Sequence, residues 1–135
     1  MTNISKEDLL IQVEAELCSR DLHYFFKEAA QVLYSGVDWQ FAWYHKYLCD
    51  IFQEEVDRVN NKIVKDKDYI INIPFRSSKS TLISVILPVW IWIKNPSAQI
   101  LTVSATDALA VKFSHQSKLL IESTWFKLRF GKFFE

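Results

Sequence analysis

The chain has 135 residues with 16 basic and 16 acidic side chains, so its formal net charge is zero and global charge gives no argument for a nucleic-acid partner. Half of it is hydrophobic, including five Trp, five Tyr and ten Phe, a composition that excludes a disordered chain. This length can bury a real core, and only two glycines and three prolines predict long regular elements with few tight turns.

The first 35 residues read as helix. Ser5 followed by Lys6, Glu7 and Asp8 is a helix start, a hydroxyl cap with acids in the first turn, and Leu9, Leu10, Val13 and Leu17 recur at helical spacing. Asp21 can cap a second helix carrying Leu22, Phe25, Phe26, Ala29 and Leu33, which Ser35-Gly36 ends. Asp38 opens a third, from about Trp39 to Asn60, with Phe41, Tyr44, Leu48, Ile51, Phe52, Val56 and Val59 three or four apart. The charged stretch 62–68 reads as a solvated connection.

The character then changes. Residues 69–73 are short, β-branched and apolar without alternation, which predicts a strand buried on both faces. Residues 79–93 predict a helix apolar nearly all round, kinked or ended locally at Pro88. Asn95-Pro96-Ser97 is a turn, 99–104 a second strand, and 107–121 a helix, followed by an aromatic-basic tail with Trp125, Phe126, Lys127, Arg129, Phe130 and Lys132. Strand-helix-strand-helix predicts an α/β fold, N-terminal helices followed by the βαβα start of a parallel sheet. Two strands cannot cover so apolar a helix, so the chain reads as the start of such a domain.

Cys18 and Cys49 are isolated and show no metal-ligand spacing, and the acidic N-terminus is not a secretory signal; both thiols are expected reduced, in cytoplasm. The apolar run 82–93 is far short of the roughly 20 residues of a membrane span, so no membrane is expected.

Between Tyr69 and Thr106 there is no acidic residue, while Arg76, Lys79 and Lys94 are present. Such a segment suits an anion, and equally suits a buried, charge-poor element. Within it, Ile73-Pro74-Phe75-Arg76-Ser77-Ser78-Lys79-Ser80-Thr81 has the layout of strand, loop and helix start, with Lys followed by hydroxyl residues. Phosphate binding at such a junction uses the unpaired first N–H groups of the helix, a Lys for the β- and γ-phosphates and a Ser or Thr hydroxyl for Mg²⁺. Lys79 and Ser80 occupy those places, with Thr81 a weaker alternative. Both glycines of G-x-x-x-x-G-K-[ST] are absent; Ile73 and Ser78 stand in their positions. A non-glycine residue with positive φ costs about 1–2 kcal/mol. The competing reading is that Ser77 or Ser78 merely caps a helix.

The wider segment resembles the variant phosphate loop of large terminase subunits from tailed bacteriophages, an apolar strand followed by Pro-Pro-Arg-x-Gly-Lys-Ser: Pro74, Arg76, Lys79 and Ser80 match, while Phe75 and Ser78 do not. Pro88, Trp90, Ile93, Asn95 and Pro96, then 99–104, Leu109-Ala110 and Ser123, Trp125 and Phe126, resemble the same family's downstream elements, and Trp43-Tyr44-His45 its upstream Trp-His element. The resemblance covers roughly residues 38–131 and implies a P-loop NTPase-like ATPase motor for DNA packaging, with 1–37 an N-terminal helical segment and 38–135 the N-terminal part of the ATPase domain, truncated before Walker B, as in a frameshifted gene or prophage remnant. It implies ATP and Mg²⁺ as cofactors, held by Arg76, Ser77, Ser78, Lys79, Ser80 and Thr81, with Ser80 on Mg²⁺ and Arg76 near the γ-phosphate. Trp43 and His45 become candidates for the adenine side; the residues alone equally allow a core Trp43 and a surface His45. Implied partners are viral DNA and a portal or small terminase subunit, in the bacterial host cytoplasm.

Hydrolysis needs an acid for Mg²⁺ and a group to orient water. After Lys79 the only acids are Asp107, Glu122 and Glu135, and none follows a strand as a pair. The chain alone is therefore expected to show no ATP turnover. The alternatives are a nucleotide- or phosphate-binding module that needs a partner chain, and a non-enzymatic interaction protein whose Lys79 loop is only a helix cap; exposed apolar helix faces further predict self-association or pairing with another chain.

Overall fold

The computed structural model describes residues 3–133. They form α1 (Lys6–Arg20), α2 (Leu22–Leu33), α3 (Trp43–Asn60), a helical run over 79–94 made of a π segment (Thr81–Ile86) and α4 (Leu87–Lys94), then α5 (Asp107–Glu122), α6 (Thr124–Phe130) and a final 3₁₀ turn. No strand occurs among the described residues, so the expected α/β fold with its parallel sheet is corrected to an all-helical one. Helices satisfy their backbone groups locally, whereas a strand exists only by pairing with a neighbour. Segments 69–73 and 99–104 find no such partner among the described residues; Ile70, Leu101 and Val103 are exposed, while Ile71 and Ile73 lie partly buried against the core and Ile100 is partly buried. Their composition favours strands, but that preference works only on a packed, paired surface.

The core is centred on α2. Leu22, Phe25, Phe26, Ala29 and Ala30 follow the helical repeat on one face and are fully buried. That face meets α3 through Leu48, Cys49 and Val56, and the 79–94 run through Leu82, Val85, Ile86, Val89 and Trp90. Leu120, Phe126 and Phe130 complete the cluster from α5 and α6. Phe25 packs its ring against Trp125 at 6.0 Å and edge-on to Phe130 at 6.2 Å, distances at which aromatic pairs add to simple area burial.

Polar links lock this core. The buried Trp90 Nε1 donates to the Cys18 carbonyl at 2.9 Å, fixing the 79–94 run to α1. From α3, Gln53 accepts the Leu22 N–H at 2.9 Å and donates to the Arg20 carbonyl at 2.8 Å, bridging the α1–α2 junction. Arg129 of α6 forms a partly buried ion pair with Glu14 of α1 and donates to the Trp125 carbonyl at 3.0 Å. Both cysteines are free and buried, and burial pushes each thiol up to about 12.

Several boundaries differ from the sequence expectations. The third helix starts at Trp43 rather than near Trp39, because Trp39 and Phe41 turn inward and pack edge-on against Phe26 at 6.4 and 5.7 Å. The apolar stripe Leu9, Leu10, Val13 and Leu17 faces solvent, while Ala15 and Cys18 carry α1's contact with the core. Pro88 neither ends nor breaks the helix. The wider π turn of Thr81–Ile86 precedes it, relieving the clash a proline ring makes with the carbonyl four residues back. Ser117 of α5 donates to the Val85 carbonyl of that turn at 2.9 Å. The tail after α5 is helical too, because Ser123 accepts the Phe126 N–H at 3.2 Å and starts α6.

Candidate functional site

The loop at 74–81 leads directly into the 79–94 helical run. Arg76 and Ser78 both have positive φ, 64° and 61°, the left-handed region that glycine enters freely and other residues enter at a cost. Ser78 thus adopts at the loop's last position the conformation for which the glycine-rich pattern uses glycine. Backbone that alternates in this way turns successive N–H groups toward one concave side, an anion-binding arrangement.

The first helical bond runs from the Leu82 N–H to the Ser78 carbonyl at 3.0 Å, so the N–H groups of Lys79, Ser80 and Thr81 precede the hydrogen-bonded ladder. No side chain caps them. Four of the other helices start with a side-chain cap, from Ser5, Asp21, Thr106 and Ser123, yet Ser77, Ser78 and Ser80 make no side-chain hydrogen bond among the described residues. Lys79 is half-buried and has no ion pair among the described residues. Arg76 is exposed, with its guanidinium 5.8 Å from the ring centre of Phe75, itself 92% exposed. Uncapped N–H groups, an unpaired lysine and a free Ser80 hydroxyl fit a phosphate with its Mg²⁺. The described residues hold no group of three His, Cys, Asp or Glu side chains that could bind a metal by themselves.

The loop is tied to the core from below. His45, in the first turn of α3, is 2% exposed, and its Nε2 lies 2.9 Å from the Ser77 carbonyl. Its Nδ1 accepts the Ala42 N–H at 3.0 Å, taking the place of a side-chain cap for α3. The two candidates for the adenine side therefore part company: His45 is buried under the loop, and Trp43 is 79% exposed beside Tyr44 and Tyr47 on the surface of α3. Sequence spacing did not reveal His45's role, because its partner is a backbone carbonyl 32 residues away.

The remaining candidates separate as well. Asp107 is the first residue of α5 behind the Thr106 cap, Glu122 is its last residue, and Glu135 lies outside the described residues. Of the basic tail, Lys127 and Lys132 are exposed, while Arg129 is committed to Glu14. A groove of about 810 Å³ between α1 and α6 is lined by Asp8, Glu16, Lys127, Arg129 and Lys132, and by no residue of the loop. No helix of the described residues is long and apolar enough to cross a membrane. No protein-family model, curated protein or solved structure matches the chain.

Proposed function

We propose that residues 74–81 are a phosphate-binding loop for ATP, with Lys79 on the β- and γ-phosphates, Ser80 on the accompanying Mg²⁺, Arg76 over the γ-phosphate, and Ser77, Ser78 and Thr81 completing the cradle. One observation carries this reading: Arg76 and Ser78 hold positive φ next to a helix start that three neighbouring serines leave uncapped. A loop that served only to cap the helix would turn one of those hydroxyls onto its N–H groups, as Ser5 and Ser123 do. The terminase resemblance extends the reading to the ATP-binding part of a DNA-packaging motor in the cytoplasm of a bacterial host, with viral DNA and a portal or small terminase subunit as partners.

The test is calorimetric titration of the chain with ATP and Mg²⁺. Saturable binding that Lys79→Ala removes is expected, without turnover, because no paired carboxylates accompany the loop. Unchanged affinity in Lys79→Ala would overturn the binding role. Hydrolysis that this substitution abolishes would overturn the expectation of no turnover.

A second reading has its own observation. Leu9, Leu10, Val13 and Leu17 form an exposed apolar stripe on α1, a surface for self-association. Light scattering on the chain and on Val13→Glu decides it: a monomer in both removes this reading.

A further inference from the structure

We infer that His45 is the positioning residue of the 74–81 loop, its imidazole setting the direction of the Ser78 N–H; the inference rests on the phosphate-binding reading of that loop. Two contacts define one tautomer. The Ala42 N–H donates to Nδ1 at 3.0 Å, so Nδ1 carries the lone pair. Nε2 then carries the proton and donates it to the Ser77 carbonyl, 2.9 Å away. The ring cannot swing out of this arrangement, because Phe26, Phe41 and Tyr44 surround it at centroid distances of 5.3, 6.2 and 4.5 Å.

The consequence follows from peptide geometry. The described chain has no cis peptide bond, and in a planar trans peptide the C=O and N–H point in opposite directions. With the Ser77 carbonyl held by the buried imidazole, the Ser78 N–H is directed away from α3. This is also the state in which Ser78 has positive φ, 61°. Flipping the Ser77–Ser78 peptide would carry Ser78 to negative φ and relieve its strain, but would remove the carbonyl from its only donor among the described residues and leave the imidazole N–H unpaired in the core. His45 thus does for Ser78 what the absence of a side chain does for glycine: it makes the left-handed conformation the stable one.

His45→Phe keeps an aromatic ring in the pocket and removes both hydrogen bonds. His45→Gln returns a donor that reaches Ser77 and, at the third helical position, an acceptor for Ala42. In ¹⁵N-labelled, nucleotide-free chain, the Ser78 HN–Hα coupling reports φ directly. His45→Phe is expected to raise that coupling and weaken ATP binding about tenfold, and His45→Gln to restore both nearly to the wild-type values. His45→Asn, too short to reach Ser77 while still able to accept from Ala42, is expected to behave as His45→Phe and serves if the latter does not fold. Wild-type coupling and affinity in His45→Phe or His45→Asn would overturn the role. So would a folded His45→Gln that binds no better than His45→Phe. If the coupling responds to these substitutions as expected but the wild-type chain binds no ATP, the phosphate reading alone is overturned and His45 is left as a residue that orients backbone.

Discussion

The core and the loop treat their polar groups in opposite ways. Around α2 most links have a named partner, the buried Trp39 indole N–H being the exception among the described residues: Gln53 satisfies both sides of the α1–α2 junction, Trp90 finds the Cys18 carbonyl, and Ser5, Asp21, Thr106 and Ser123 cap their helices. At 74–81 serines of the same capping chemistry are available and unused, a lysine stands without an ion pair among the described residues, and two residues sit in the left-handed region. The contrast teaches that residue type alone does not make a cap. The backbone ahead of the helix must present the side chain to the first turn, and a loop held at positive φ presents its N–H groups outward instead.

Substitutions can break or sharpen this contrast. Trp90→Ala removes the largest fully buried side chain and orphans the Cys18 carbonyl; a loss of about 3–5 kcal/mol in urea unfolding is expected. Arg129→Met leaves Glu14 partly buried without its partner, and about 2–3 kcal/mol should be lost, recovered in part by adding Glu14→Gln. The buried thiols make a pH-dependent version of the same point. Burial raises Cys18 and Cys49 from 9.0 to about 12, so the folded chain holds protons that the unfolded chain has released. Their contribution is complete below pH 9.0 and is lost as pH rises toward 12, and unfolding midpoints should fall over that window less in Cys18→Ala/Cys49→Ala than in the wild type.

In the loop the effects are smaller and of different sign. Ser78→Gly should stabilise the chain by about 0.5–1 kcal/mol, since glycine removes the strain of φ 61° at some cost in unfolded-state entropy. A loss on that substitution would show that the Ser78 side chain matters to the fold. Lys79→Ala should change stability by less than about 0.5 kcal/mol, because no ion pair among the described residues is broken, while the proposed ATP binding should be lost. A large stability loss would place Lys79 with the core rather than with a ligand.

Much of the helical framework is legible in the residues. Ser5 and Asp21 mark helix starts, and the repeat Leu22, Phe25, Phe26, Ala29 identifies the face on which the core is built. The candidate loop is legible as well, from Pro74 and from Lys79 with its neighbouring hydroxyls. What misled was apolar pattern without context. Residues 69–73 and 99–104 have strand composition but no paired neighbour among the described residues. Trp43 and His45, adjacent but for Tyr44, exchange the surface and core positions that their chemistry alone suggests.

By itself the sequence determined where α1, α2 and α5 start and which residues offer the chemistry proposed for a phosphate, because caps, helical periodicity and the charge of a lysine act over a few neighbouring residues. Only the tertiary structure decided that the expected strands stay unpaired, which face of α1 is buried, and that His45 holds the Ser77 carbonyl. Those outcomes depend on contacts between residues far apart in the chain, where the partner and not the residue's own propensity sets the conformation.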